Sequence, residues 1–289
     1  MGTAIAVTIV HDDLVYAERV IEDAFKDFDR VEGLMSIFRE DSEVSRLNRQ
    51  GFLEDASEEL LSVIKEAERI HRLTEGVFDI SILPLIEYLD GRFLQDVKGS
   101  LDDVRDVVDQ SLIIIDGRTV KFLKKGMKIV VNSLAKGFAV DLAVEKLRSN
   151  GVRHALVNAG GDIKTIGGKT DSEPWRIAIR DPFRKEEFVT ILKIVDRAVA
   201  TSGTYERRIA GGRLSHIINP RCIGEPDVVS STVVCRNAIT ADALATALCV
   251  MEPLKGIRLI DGLDDAEAIL VTRDKKIVKS AGFSTYEDF

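Results

Sequence analysis

The chain has 289 residues, of which 45% are hydrophobic and 30% are charged, the balance of an ordinary globular protein. Its formal net charge of -8 argues against a nucleic-acid phosphate backbone as the main partner. A protein that binds this backbone releases its counterions with an excess of Lys and Arg side chains, which this chain lacks. No apolar run reaches the roughly 20 residues of a transmembrane helix, and residues 1–10 lack the basic start of a signal peptide. We therefore expect a cytoplasmic protein without a membrane span, or an exported one if a leader has been removed.

Three cysteines, Cys222, Cys235 and Cys249, are widely spaced and form no Cys-x-x-Cys pair. This spacing argues against a disulfide framework and against a structural zinc site. We expect all three to be reduced thiols.

Hydrophobic spacing predicts the elements in chain order. The first part is predicted as a strand at 3–10, helices at 12–33 and 57–73, an irregular and partly helical segment at 85–110, and hairpin strands at 112–115 and 128–131. The second part is predicted as a helix at 135–150, strands at 155–158, 175–179, 188–195, 198–202, 217–219 and 231–234, helices at 240–251 and before Gly262, and a hairpin at 268–271 and 276–279.

The strands come in groups, and helices do not alternate with them strictly. This order favours an α+β fold with antiparallel sheet over a doubly wound fold. Because no linker-like tract interrupts the chain, we expect residues 1–289 to form a single domain, either compact or built of two interleaved lobes.

The segment Thr74-Glu75-Gly76-Val77-Phe78-Asp79-Ile80 allows two interpretations. Phe78 could stack on an aromatic ligand while Asp79 accepts hydrogen bonds from it. Alternatively, the segment is a helix stop followed by a buried phenylalanine.

Lys136 is predicted in the first turn of the helix that follows Asn132-Ser133-Leu134. A helix N-terminus binds anions, and a lysine there adds positive charge. Because a cation at this end opposes the helix dipole, the residue is a candidate for function as well as an ordinary surface lysine.

Paired glycines end a predicted strand in Asn158-Ala159-Gly160-Gly161-Asp162. Glycines let a backbone approach a ligand closely, and their N–H groups can face phosphate. The alternative is a tight turn with an Asp cap.

His216 follows Ser215 and precedes Ile217 in a segment predicted as a strand. It is a candidate general base or ligand contact. A structural histidine in a strand is the alternative.

Thr240 is predicted to cap a helix and to place Asp242 in its first turn, with Thr246 four residues later on the same face. A carboxylate and a hydroxyl so placed supply oxygen ligands for a hard cation such as Mg²⁺. The alternative is an acid that stabilises the helix N-terminus and a threonine packed in the core.

The order of these motifs along nearly the whole chain closely resembles the ApbE family of FAD:protein FMN transferases. The resemblance also covers Met1-Gly2-Thr3 and residues 35–38, 42–48, 74–84, 135–141, 156–162, 200–205, 216–220 and 241–246. It implies a T-fold-like α+β architecture with FAD in a cleft between two lobes. It further implies an Mg²⁺-dependent enzyme, with Mn²⁺ as an alternative ion. Such an enzyme cleaves FAD, releases AMP and joins FMN to a Thr or Ser hydroxyl of a target flavoprotein.

The resemblance assigns roles to single residues. Asp242, Thr246 and the backbone carbonyl of Ser133 match the family's metal ligands, and His216 matches the base that activates the acceptor hydroxyl. The positions expected to line FAD are Met1, Phe38, Val77, Phe78, Asp79, Lys136 and Ile217, together with the turn residues Asn158, Gly160, Gly161 and Asp162.

The chain departs from the family pattern at Val130, at Asn219 and at Cys222-Ile223-Gly224, where the family has Thr-Gly. Val130 stands where the family usually has an Asp before Ala-Lys-Gly, and Asn219 replaces the Asp of His-Ile-x-Asp-Pro. These changes affect expected flavin contacts rather than the metal ligands. A metal-dependent FAD pyrophosphatase, which uses water as the acceptor, and a non-catalytic flavin-binding or delivery protein remain alternative functions.

Overall fold

A computed structural model of the chain describes residues 2–91, 100–184, 186–206 and 208–288. Met1 and part of the 85–110 segment lie outside these ranges. The helices are α1 Leu14–Met35, α2 Glu43–Gln50, α3 Glu58–Leu73, α4 Leu83–Asp90, α5 Leu101–Arg105, α6 Asn132–Ser149, α7 Ala238–Cys249 and α8 Pro253–Asp261. In the described ranges, none of them has both the length and the apolar character that crossing a membrane requires.

Seven strands form the central sheet, and every neighbouring pair in it is antiparallel. Its order is β1 Ile5–Ile9, β5 Ala155–Ala159, β6 Asp162–Ile166, β9 Ala198–Gly203, β12 Val228–Cys235, β13 Ala266–Thr272 and β14 Ile277–Lys279. The smaller sheets are β2 Phe52–Leu53 with β4 Thr119–Phe122 and β3 Ile113–Asp116, β7 Trp175–Arg180 with β8 Phe188–Ile194, and β10 Arg208–Ile209 with β11 Leu214–Ser215. This architecture confirms the predicted α+β class.

Both faces of the central sheet are buried. Successive residues of a strand point to opposite faces, so Val233 of β12 packs in the core under the helices while Val234 packs in a second core. Helices α1, α3, α6 and α7 pack together in the first core, and α7 lies against β9 and β12. The β7–β8 hairpin covers the other face with Trp175 and Leu192.

Two predicted strands are wrong. Residues 128–131 do not pair in a ladder; β3 pairs instead with β4 across the turn at Gly117. The backbone of Ile129 is satisfied by a side chain, because its N–H donates to Asn48 Oδ1 at 2.7 Å and its carbonyl accepts from Asn48 Nδ2 at 2.8 Å. Residues 217–219 also lie outside any strand, after β11.

Both helices that carry the candidate site begin earlier than predicted. Helix α6 begins at Asn132, so Lys136 lies in its second turn rather than its first. Helix α7 begins at Ala238, so Thr240 is not its cap and Asp242 also lies in a second turn.

Candidate functional site

Lys136, Asp162 and Asp242 meet between α6, α7 and the start of β6. The Lys136 ammonium is in direct contact with the Asp162 carboxylate and lies 3.4 Å from Asp242 Oδ2. The same Asp242 oxygen accepts the backbone N–H of Gly137 at 3.3 Å. Asp162 and Asp242 are each 2% exposed, whereas 30% of the Lys136 side chain is accessible. The fold therefore brings together three residues that the sequence predicted as site candidates. We call this group the Lys136 cluster.

The close crossing of α6 and α7 creates this cluster. Gly137 faces the backbone of α7, where a Cβ atom would collide with the Ala238 carbonyl and lie 2.7 Å from Ile239 Cα. A side chain of any size at residue 137 would push the helices apart. The glycine thus lets Asp242 approach α6, where it accepts the Gly137 N–H.

A carboxylate from α6 caps the N-terminus of α7. Asp141 accepts the N–H groups of Ala238 at 3.0 Å and Ile239 at 2.9 Å, and it also accepts a bond from Lys164 Nζ at 2.6 Å. The first N–H groups of a helix have no acceptor within the helix, and Asp141 supplies one. Thr240, predicted as the cap, instead donates its hydroxyl to Glu66 at 2.7 Å. The capping prediction was wrong because the cap comes from another helix.

Burial has the largest effect on the protonation of the Lys136 cluster. It raises the pKa of the Asp162 carboxyl to about 7; the charge of Asp242 adds to the rise, and Lys136 opposes it. Burial also raises the pKa of the Asp242 carboxyl. For Lys136, burial acts to lower the pKa, but the charges of the two aspartates outweigh it and the pKa is raised. The cluster thus contains one lysine that stays charged and two carboxyls. One ammonium cannot balance the charge of both carboxyls.

Thr246 extends the cluster along α7, one turn after Asp242. Its hydroxyl is half-buried and lies 3.2 Å from the Ser202 hydroxyl on β9. Ser133 is half-buried in the first turn of α6, the helix that also carries Lys136. Asp242 and Thr246 thus lie about one turn apart on α7, and their role as metal ligands stays a prediction.

The donor set of the cluster fits a hard divalent cation. Buried carboxylates that outnumber their ammonium partner favour an added positive charge, and Mg²⁺ prefers oxygen ligands. Within the described residues, no three His, Cys, Asp or Glu side chains gather in an arrangement that would hold a metal ion. An ion in this cluster would therefore use the Asp242 carboxylate together with hydroxyl or backbone oxygens.

The glycine turn leads directly into the cluster. Gly160 and Gly161 have φ values of +65° and +104°, which favour glycine, and the Gly161 N–H donates to Asn158 Oδ1 at 2.9 Å. A Cβ at residue 160 would collide with the Thr3 side chain. The segment is a tight turn, but Asn158 rather than Asp162 accepts its N–H, because Asp162 pairs with Lys136. The contact with a phosphate stays a prediction.

His216 lies at a bend just after β11 and is half-buried. The N–H of buried Ile217 donates to Ser215 Oγ at 3.0 Å, which folds the backbone around the histidine. The Asn219 side chain donates to the Val250 carbonyl at 3.1 Å, beyond the end of α7. These bonds make the segment a fastened loop rather than the predicted strand.

The other expected flavin contacts differ in exposure. Phe38 is 81% exposed, whereas Phe78 is 4% exposed within the main core. Val77 is half-buried. One Asp79 oxygen accepts from the N–H and hydroxyl of Ser81, at 2.7 and 2.5 Å, and the other accepts from Gln110 N at 3.0 Å. Phe38 thus offers a free ring, while Phe78 and Asp79 are engaged inside the protein.

Gly137, Asp141 and Ser202 received no role from the sequence, although motifs contained them. A glycine inside a helix weakens that helix, so it often indicates close packing. Asp141 lies four residues after Gly137 and hence on the same helix face. That pair was the available signal for a helix crossing, whereas Ser202 gave no comparable signal.

Known proteins resemble this chain over most of its length. The sequence model of the ApbE family matches residues 1–270. An FAD:protein FMN transferase of Vibrio cholerae is 32% identical over 274 residues, covering 90% of this chain and 81% of that protein. One from Escherichia coli is 28% identical over 277 residues, covering 90% and 79%.

Solved structures agree with the sequence matches. The flavin transferase ApbE from Vibrio cholerae superposes with a TM-score of 0.84 at 30% identity, over 99% of this chain and 96% of that one. The ApbE protein from Thermotoga maritima gives a TM-score of 0.89 at 27% identity, over 100% and 97%. The family match, the relatives and the shared fold show that this chain belongs to the ApbE family.

Proposed function

We propose that this protein transfers FMN from FAD to a Thr or Ser hydroxyl of a target flavoprotein and releases AMP, with Mg²⁺ or Mn²⁺ as cofactor. The main support is the Lys136 cluster, in which two buried carboxylates share one ammonium, with Thr246 one helical turn after Asp242 on α7. Such a cluster suits a cation and the phosphates that it binds. The names of the relatives, FAD:protein FMN transferase, supply the reaction.

The metal would be held by Asp242, Thr246 and the Ser133 carbonyl. When bound, it would neutralise charge on the phosphate oxygens of FAD. Lys136 adds an ammonium whose raised pKa keeps it charged at neutral pH. Its partly accessible side chain can also face a pyrophosphate.

His216 has the role of base in this proposal. A hydroxyl is a weak nucleophile until a base takes its proton. His216 would accept the proton of the target hydroxyl as that oxygen bonds to the FMN phosphorus. The bond from this phosphorus to the bridging oxygen then breaks, and AMP leaves with that oxygen. The fastened loop around residues 215–219 supports this role, because it restrains the histidine backbone.

FAD would lie along the glycine turn at Gly160 and Gly161 and along the exposed ring of Phe38. The Phe38 ring is free to stack on a flavin or adenine. The space beside Gly161, where a Cβ atom would meet nothing within 4 Å, leaves room for a phosphate to approach. Met1, Val77, Phe78, Asp79, Asn158 and Ile217 remain predicted FAD contacts. The cleft between two lobes likewise remains a prediction.

Product analysis tests the proposed reaction. The protein is incubated with FAD and Mg²⁺, with and without cell extract as a source of acceptor, and AMP, FMN and protein-bound flavin are measured by chromatography. We expect AMP and protein-bound FMN to appear together and to depend on the extract. Free FMN and AMP in equal amounts without any protein-bound flavin would instead establish a pyrophosphatase. Asp242→Ala should abolish both products if the metal assignment is correct.

A further inference from the structure

In the Lys136 cluster one ammonium is shared by two buried carboxylates, and it lies closer to one of them than to the other. Lys136 Nζ is in direct contact with Asp162 but lies 3.4 Å from Asp242 Oδ2. Among the described residues, Asp242 also accepts the Gly137 N–H, and this bond is likewise long at 3.3 Å. Charge-assisted bonds of this kind are normally 2.7–2.9 Å, so Asp242 is buried but weakly bonded.

We propose that Asp162 is a positioning residue for the metal site: it holds the Lys136 ammonium away from Asp242, so that the Asp242 carboxylate can bind a divalent cation. The inference rests on the proposed function, because it takes Asp242 as a metal ligand.

The physical reason is competition between two cations for one carboxylate. An ammonium in direct contact with Asp242 would occupy the oxygen that a metal ion needs, and it would repel the ion at close range. Asp162 prevents this contact because it offers Lys136 a second, equally buried carboxylate. Without Asp162, the burial of most of the lysine side chain would favour its pairing with Asp242.

The exit of the glycine turn fixes Asp162 in this role. Asp162 is the first residue of β6 and pairs with Ala159 of β5 across the turn. Its carboxylate therefore belongs to the central sheet, whereas Lys136 and Asp242 belong to the two helices. A sheet residue thus sets the position of a helix lysine.

Mn²⁺ titration of the FAD-free protein, followed by electron paramagnetic resonance of the free ion, tests this inference. The proteins compared are wild type, Asp162→Asn, Lys136→Met and the double variant. We expect Asp162→Asn to weaken Mn²⁺ binding about tenfold, the effect typical of a residue that positions a metal ligand without touching the ion. Lys136→Met should bind Mn²⁺ more tightly than wild type, and the double variant should recover the affinity lost in Asp162→Asn. A purely structural role for Asp162 would not give this recovery.

Glu43→Gln is the matched control. It removes another buried carboxylate, which accepts from Ser57 N at 3.0 Å and from Ser57 Oγ at 2.8 Å. It should lower the melting temperature without changing the Mn²⁺ dissociation constant.

Three results would overturn the inference: no Mn²⁺ binding by wild type at millimolar ion, unchanged affinity in Asp162→Asn, or a double variant as weak as Asp162→Asn. If Asp162→Asn does not fold, weaker binding by Lys136→Met overturns it as well. FMN transfer by wild type is measured separately. If the Mn²⁺ affinities do not change as expected but wild type still transfers FMN, the inference alone is rejected. If wild type does not transfer FMN, the proposed function is rejected.

Discussion

Asp162 and Asp242 lie where solvent barely reaches, beside the partly accessible Lys136, and the balance of the three charges determines how the residues titrate. With two carboxylates for one ammonium, a proton or a metal ion can supply the missing positive charge. The sequence predicted each of these residues as a candidate, from a helix start, a glycine turn and a four-residue spacing. It did not predict that they touch, because contact between residues 136, 162 and 242 depends on the packing of distant segments.

The raised pKa of Asp162 predicts how stability changes with pH. Burial and the charge of Asp242 raise this pKa to about 7 in the folded protein, from an ordinary value of 3.8. The group therefore contributes stability that is fully present below about pH 4 and is lost as the pH rises through 7. Lys136 stays charged over this range, so it does not cancel the effect. We expect the free energy of unfolding in EDTA to be lower at pH 8 than at pH 5.

Urea denaturation at the two pH values measures this difference. Asp162→Asn should reduce the difference, because the amide does not titrate. An equal pH dependence in wild type and variant would show that Asp162 does not titrate in this range.

His216 carries the proposed chemical step at the residue scale. His216→Ala should slow FMN transfer about 100-fold or more, the usual contribution of a general base, while the dissociation constant for FAD stays unchanged. Transfer is followed by protein-bound flavin fluorescence, and FAD binding by quenching of its fluorescence. An unaffected rate would remove the histidine from the mechanism.

At the scale of elements, the crossing of α6 and α7 determines the geometry of the site. Gly137 permits the close approach of the backbones, and Asp141 holds the first amides of α7. The sequence predicted both helices but began α6 at Ala135 and α7 at Thr240. The α7 start was wrong because the sequence does not show that Asp141 of α6 caps it. Helix α6 begins at Asn132 without a side-chain cap, so no capping residue indicates its start.

Gly137→Ala should separate the two helices. The added methyl would collide with the Ala238 carbonyl, which is backbone and cannot move aside alone. We expect a loss of about 1–3 kcal/mol in the free energy of unfolding, as for other overpacked sites, together with weaker metal binding.

Gly33→Ala is the matched control, measured by the same urea denaturation. Gly33 is also inside a helix, α1, but a Cβ there meets nothing within 4 Å. This variant should be more stable than wild type by about 0.5–1 kcal/mol, because alanine favours helix over glycine. If both variants change stability alike, close packing at Gly137 is not the cause.

At the scale of the whole molecule, a seven-stranded antiparallel sheet supports the helices on one face and a hairpin on the other. The sequence predicted most of its strands, because apolar and β-branched residues are concentrated in them. It could not predict their order, since β1 pairs with β5 across almost 150 residues, a separation that local patterns do not encode.

The two false strands have a related explanation. An apolar run can satisfy its backbone through side chains, as Asn48 does for Ile129 and Ser215 for Ile217. Hydrophobicity alone does not distinguish this arrangement from a ladder. Asn219, which departs from the family pattern, has a structural role. Its side-chain amide donates to the Val250 carbonyl and so holds the loop that carries His216.

The most direct test of the proposed function is a mass measurement on a second protein. The wild-type protein and Asp242→Ala are each incubated with FAD, Mg²⁺ and cell extract, and proteins with in-gel flavin fluorescence are identified by intact mass. We predict an acceptor heavier by one FMN with wild type and no such species with Asp242→Ala. Absence of any flavin-bearing acceptor, or the same adduct with both proteins, would contradict the account.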